Sequence, residues 1–239
     1  MSFADKLKVY FEGHILKMKK HLMVKNYSNT YGFRLLKVNK KYSMVQVVND
    51  IVQGFQIDEY RRCGRKATYI KYDIYPLCNN ESNYYNGIFA KLDANVQMDI
   101  PIFDTYLTDE KICEIIQSII FPFFKRYDSC KSYYGYLNKT LRLDECGIEE
   151  VFFALKNNDI YNAISMINER IAQCDDAYES CIDTMDEESL NHKLMMCSER
   201  KEKLKLMLNR IVSYTPDELD KILLENEKKG IEFIKKHLV

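Results

Sequence analysis

The apolar residues of this chain change their period partway along it, and that change restricts the fold more than any other feature. Between Tyr31 and about residue 95 they tend to recur at every second position, and from Thr108 onward at every third and fourth. Strands collected in one stretch and helices in another do not build the alternating units of a parallel sheet. An α+β fold is therefore expected, with an antiparallel sheet made by short turns. Phe33 to Val38 and Tyr42 to Asn49 are apolar-rich and separated by Asn39, Lys40 and Lys41, which predicts a hairpin, with a third strand at Ile51 to Ile57. In Thr68 to Tyr75, Ile70, Tyr72 and Ile74 share one face while Tyr69, Lys71, Asp73 and Tyr75 share the other. This reads as a half-buried strand stopped by Pro76. Gly87 to Leu92 completes a β-meander of four or five strands, packed by helices on one face.

Helices are expected on both sides of this region in sequence. Phe3, Leu7, Tyr10, Phe11, His14, Met18 and Leu22 give residues 2–25 an apolar stripe. Thr108 is placed to cap a helix carrying Ile112, Ile115, Ile116, Ile119, Ile120 and Phe123, with Pro122 expected to kink or end it. Helices at Ile148–Leu155 and Ile160–Ile171, broken by Asn157, Asn158 and Asp159, form a hairpin in which Ala154 and Ala163 permit close approach. Residues 186–239 read as a charged helical hairpin. Leu190, Leu194, Cys197, Lys201, Leu204, Leu208 and Ile211 form a seam, and Thr215, Pro216 and Glu218 restart the helix with a capping box. The second helix would cover the seam through Ile222, Leu223, Ile231 and Ile234, with Glu225 or Glu227 reaching Lys201. The division expected is an α+β domain over 1–145 and a helical region over 146–239.

Composition narrows the class. The chain has 239 residues, 46% of them hydrophobic and 29% charged, with only 8 Gly and 4 Pro, which excludes a disordered, collagenous or purely coiled-coil protein. Its most apolar segment, Ile112 to Phe124, is interrupted by Glu114, Gln117, Ser118 and Pro122, short of the ~18 residues a membrane span needs. No apolar signal core stands at the start, so a cytoplasmic protein with reduced thiols is expected and no membrane partner. The balance of 35 basic and 35 acidic residues hides an asymmetry: residues 1–80 carry 15 basic and 6 acidic side chains, net +9, and the remainder is net −9. Neither half contains a long single-sign run, so attraction within the molecule accounts for this better than a polyanion-binding surface.

No residue pattern identifies a reaction. Cys174, Cys181, Cys197 and His192 lack the paired ligands of structural zinc, and Asp183, Asp186, Glu187 and Glu188 lack calcium-loop spacing, so neither a metal nor any other cofactor is expected. His14, His21 and His237 have no nucleophile at a hydrolase spacing. Cys63, among Arg61, Arg62, Arg65 and Lys66, is the one nucleophile whose surroundings favour a thiolate, but no base stands near it in sequence. The same basic segment is the densest positive charge in the chain, beside Tyr69, Lys71 and Tyr75 on the adjoining strand. These residues, Arg61, Arg62, Arg65, Lys66, Tyr69, Lys71 and Tyr75, are the candidate binding residues, and none is assigned as catalytic.

Tyr31-Gly32-Phe33, Val45-Gln46-Val47-Val48-Asn49, Ile70-Lys71-Tyr72-Asp73-Ile74-Tyr75-Pro76 and Pro122-Phe123-Phe124, following an N-terminal helix, resemble the bacterial domain-of-unknown-function family 4304 over about residues 1–165. The resemblance implies a small α+β domain with no assigned reaction and no catalytic residues to carry over; related small α+β bacterial domains are suspected to act as immunity or accessory binding proteins. The expected function is thus a non-catalytic binding module for an acidic protein partner, using the open sheet face and the basic loop, as a monomer or weak homodimer. The alternative is a nucleic-acid-associated protein using Lys17, Lys19, Lys20 and the basic segment, and the third an uncharacterised enzyme built on Cys63.

Overall fold

The computed structural model describes residues 31–38, 41–62, 65–79, 108–143, 146–179 and 186–239. The helix expected over 2–25, the strand expected at Gly87 to Leu92, and Cys63, Cys181 and Asp183 lie outside these residues. Strands β1 (Arg34–Val38), β2 (Lys41–Val48), β3 (Ile51–Arg62) and β4 (Arg65–Pro76) form one antiparallel sheet in the order β1-β2-β3-β4. The α+β architecture read from the change of period is the one observed, with helices following the sheet.

Turn chemistry sets the register of the sheet. Val48 pairs with Ile51 across Asn49 and Asp50, and Asn49 takes the left-handed conformation at φ 51°, which Asn tolerates better than most residues. The same turn anchors a helix end: Asn49 Nδ2 donates to the Asp128 carbonyl at 3.0 Å, and the Cys130 N–H donates to Asp50 Oδ1 at 2.8 Å. Gly32, at φ 80°, supplies the left-handed step into β1.

The helices are α1 (Asp109–Ile115), a π-helical turn (Ile116–Ile120), α2 (Phe121–Arg126), α3 (Cys130–Thr140), α4 (Ile148–Lys156), α5 (Ile160–Glu179), α6 (Glu187–Ser213) and α7 (Pro216–His237). Pro122 does not end the first of these. The wider turn before it, closed by the Phe121 N–H on the Ile116 carbonyl, absorbs the proline, whose ring would otherwise meet the carbonyl four residues back. Helix α3 was not expected from the Tyr- and Gly-containing segment that forms it. Its buried residues Cys130, Tyr133, Tyr134 and Leu137 nevertheless follow the helical period, and Ser129 caps it. The Asn157-Asn158-Asp159 break forms as expected: Asn158 is left-handed at φ 59°, and the Asn158 and Asp159 N–H groups return to the Leu155 and Ala154 carbonyls. Helix α5 runs past Ile171 to Glu179 because Cys174 continues its buried stripe.

One row of side chains crosses the sheet in register, Leu35 to Met44 to Phe55 to Tyr72, and packs with Ile112, Ile116, Ile120 and Phe124 from the first helices. Phe33 stacks on Phe121 at 5.5 Å and meets Phe55 edge-on at 5.3 Å, while Tyr72 meets Phe123 at 5.1 Å. Gln53, 1% exposed, stands on this face and donates through Nε2 to the Phe124 and Tyr127 carbonyls at 2.8 and 2.9 Å, closing the end of α2. Its Oε1 accepts from Gln46.

Helices cover both faces of the sheet rather than one. On the second face Leu36, Val45, Val52, Tyr75 and Leu77 pack with Ile234 of α7, flanked by Ile231, Phe233 and Leu238. The chain after α7 then bridges Leu238 to Leu36, and the Val239 N–H donates to the Leu35 carbonyl. The partner running along α6 is α5, so Leu204 and Ile211 are buried there while Leu194 stays 41% exposed. Lys201 is met by Asp175 of α5 at 2.7 Å rather than by Glu225 or Glu227. Glu227 instead pairs with Lys156 at the end of α4.

Candidate functional site

Strand lengths create the feature on which most of the candidate binding residues lie. Strand β2 follows β3 only from Val48↔Ile51 to Met44↔Phe55, whereas β4 follows it along its whole length to Arg62↔Arg65. Among the described residues, β3 from Gln56 and β4 up to Lys71 therefore pair only with each other, as a two-stranded ribbon. At ~3.3 Å per residue, seven residues a strand make it about 20 Å long. Ile57 and Ile70, paired at its base, pack against the main core. At its far end Arg61 stands opposite Lys66 and Arg62 opposite Arg65, so two successive rungs carry four cations. Two acidic positions, Asp58 opposite Tyr69 and Glu59 opposite Thr68, lie between base and tip. Like charges directly opposed in a ladder weaken it.

Six of the candidates, Arg61, Arg62, Arg65, Lys66, Tyr69 and Lys71, share this ribbon. Tyr75 does not. Expected on an exposed face beside Tyr69, it is 5% exposed beneath α7, so it belongs to the second core and the sheet face it was meant to offer is closed.

A second constellation draws its members from four elements. Asp73 of β4 accepts from the Ile74 N–H at 2.7 Å and from the Tyr133 hydroxyl of α3 at 3.3 Å. Glu149 and Glu150 open α4, where Glu150 Oε2 accepts from the Gly147 N–H at 2.6 Å as the return half of a cap. The two glutamates converge beside Gly147: a Cβ there would stand 2.6 Å from Glu149 Oε2, 2.8 Å from Glu150 Oε2 and 3.8 Å from Arg170 Nη2 of α5. A Cβ at this position would displace the ends of the two glutamate side chains.

Asp73 and Glu150 are half-buried by area but crowded by protein. Burial, joined by the charges of Glu150 and Glu149, raises the Asp73 carboxyl to about 7 against the Ile74 N–H. Burial and then Glu149 likewise raise Glu150 to about 7, with Arg170 opposing. Burial and the Asp73 charge hold the hydroxyls of Tyr75 and Tyr133 well above the usual phenol range. The sequence signal that could have led here is the Glu149-Glu150 pair after a glycine, which reads as an ordinary helix start until β4 is brought beside it.

The buried thiols are not poised for nucleophilic work. Cys78 and Cys130 have pKa values raised by burial, which favours the unreactive thiol. Among the described residues no group of three His, Cys, Asp or Glu side chains is arranged to hold a metal ion, and no helix is long and apolar enough to cross a membrane. No family model, no curated protein and no solved structure matches the chain.

Proposed function

We propose that this protein is a non-catalytic binding module that takes an acidic patch of a partner protein on the tip of the β3–β4 ribbon. The observation that carries the reading is the ladder register, which opposes Arg61 to Lys66 and Arg62 to Arg65 in consecutive rungs. Four basic residues on two consecutive rungs give the ribbon end a charge complementary to an anionic partner. Arg is also among the residue types that dominate interface hot spots.

Nucleic acid is the second reading, because a basic two-stranded ribbon is one of the shapes that enters a DNA groove. Asp58 and Glu59, about 10 Å below the tip at ~3.3 Å per rung, weigh against it by adding negative charge to the same strand.

The test compares the full chain with a variant in which Arg61, Arg62, Arg65 and Lys66 are all Gln. Polyglutamate should bind the wild type at ~50 mM salt and release as salt rises, while the variant binds neither polyglutamate nor the proteins that the wild type retains from native lysate. Mixed-sequence DNA and RNA are run beside it. Nucleic acid retained in preference to polyglutamate would move the assignment to the second reading, and equal behaviour of the two proteins would remove the ribbon from the function.

A further inference from the structure

The sheet has two outer edges, and the chain closes them differently. Beside β1 stands the chain's own end, where Leu238 bridges to Leu36 and the Val239 N–H donates to the Leu35 carbonyl at 2.9 Å. The other outer edge belongs to β4, which among the described residues pairs only with β3. We propose, on the basis of the acidic-partner reading of the ribbon, that an extended acidic segment of the partner protein adds to this edge as a fifth strand, alongside Arg65 to Lys71.

Hydrogen bonds and register fix which backbone groups this edge offers. Successive residues of an antiparallel strand turn their N–H and C=O groups alternately to one side and the other. The Leu77 N–H donates to the Asp50 carbonyl at 3.0 Å, one step beyond the Ile51↔Pro76 rung. The odd-numbered residues of β4 therefore bond inward to β3, and the even-numbered ones face outward. The tight turn at Val48↔Ile51 agrees, since the pair that closes a two-residue hairpin exchanges both its bonds. Ile51, Gln53 and Phe55 then bond to β2, which leaves Val52, Gly54 and Gln56 to bond Tyr75, Asp73 and Lys71. Below the ribbon the outward Ile74 N–H is taken by the Asp73 carboxyl at 2.7 Å, which closes the edge there. Farther out, Lys66, Thr68 and Ile70 turn their N–H and C=O groups to a side where no strand stands among the described residues.

Charge selects the occupant. From Arg65 to Lys71 β4 holds three cations and no acid, whereas the stretch of β3 that β2 leaves uncovered includes Asp58 and Glu59. An acidic strand is therefore matched by the residues of the β4 edge and opposed by those of β3. A second copy of the chain is disfavoured, because two β4 edges paired antiparallel about Thr68 would set Arg65 against Lys71. Charged residues on an edge also hold off indiscriminate pairing. In such an addition the main-chain bonds supply affinity and the side chains supply selectivity.

The experiment titrates the full chain at ~50 mM salt with a capped Val-Glu repeat of about eight residues, with the same peptide methylated at every backbone nitrogen, and with a Val-Lys repeat. Amide hydrogen exchange locates the contact. The acidic peptide should bind and slow exchange at Lys66, Thr68 and Ile70 by ~10-fold or more, while Ala67 and Tyr69, already bonded to β3, change little. The methylated peptide keeps its charge but has no N–H to give, so it should bind ~10-fold more weakly, and the basic repeat should not bind. Thr68→Pro removes an outward N–H without touching the ladder to β3, so it should weaken the Val-Glu peptide by ~10-fold. Equal binding of the methylated peptide, binding that leaves these amides unslowed, or protection centred on Ile57, Glu59 and Arg61 of β3 would overturn strand addition at β4 and leave the acidic-partner reading in place. Failure of both the Val-Glu peptide and polyglutamate to bind would remove the two together. Exchange at Lys66, Thr68 and Ile70 that slows with protein concentration alone would give the edge to a second copy and overturn the proposal. If Thr68→Pro does not fold, the methylated peptide and the wild-type exchange decide alone.

Discussion

At the scale of single residues, buried polar groups and small residues carry consequences out of proportion to their size. Gln53 is buried between the sheet and the end of α2, where it donates to two carbonyls. Replacing it with Leu keeps the volume and removes both bonds, so Gln53→Leu should lower stability by about 1–3 kcal/mol, read as a lower denaturant midpoint at unchanged slope. A loss under ~0.5 kcal/mol would mean that water satisfies the freed carbonyls. Gly135 is the opposite case. It is exposed within α3, and a Cβ there meets nothing within 4 Å. Gly135→Ala should raise stability by about 0.5–1 kcal/mol, visible as an upward shift of the thermal midpoint, and a destabilising result would show that the helix is held away from ideal geometry at that point.

At the scale of elements, caps and ion pairs join each helix to what precedes it. Thr215 and Glu218 form the reciprocal cap anticipated at the start of α7: the Glu218 N–H donates to Thr215 Oγ1 at 3.4 Å, and the Thr215 N–H to Glu218 Oε2 at 2.9 Å. The cap is exposed, so Thr215→Ala should cost about 1 kcal/mol, measured by chemical denaturation. Thr215→Ser should recover most of that, whereas no recovery would place the effect in the lost methyl rather than the lost hydrogen bond. The Lys156–Glu227 pair ties α7 to α4 from the other side. Burial works against the Lys156 ammonium, but the Glu227 carboxylate outweighs it and raises its pKa.

At the scale of the molecule, α7 turns a one-sided sheet into a two-sided one. Ile234, 5% exposed, stands against Leu36, Val45, Val52 and Tyr75. Ile234→Ala should destabilise the whole chain by about 2–5 kcal/mol in one cooperative transition. A separate early transition confined to α7 would show that the helix is an appendage rather than a layer of the core. The same cover explains why binding residues are sought on the ribbon: with one face under α1 and α2 and the other under α7, the paired tip of β3 and β4 is the part of the sheet that extends beyond β2.

Local chemistry was enough to place what depends on neighbours in sequence. The period-two runs at Phe33, Met44 and Phe55 marked strands, Asn157-Asn158-Asp159 marked a break, and Thr215-Pro216 marked a start, because alternation, left-handed turns and caps are settled within a few residues. Pro122 misled for the same reason. Its effect depended on whether the preceding turn could widen, and packing of Ile116 and Ile120 against the sheet accompanies that widening. Which face of β4 stays open, which acid meets Lys201 and which carboxyls gather around Gly147 were decided only when elements far apart in sequence came together. Tyr75 shows why. Its alternation with Ile74 put it on the opposite face, as read, but burial of that face depends on α7, more than 140 residues later in the chain. The basic segment at Arg61 to Lys66 was legible as charge, and the ribbon that opposes those charges rung by rung became visible only with the register of the sheet.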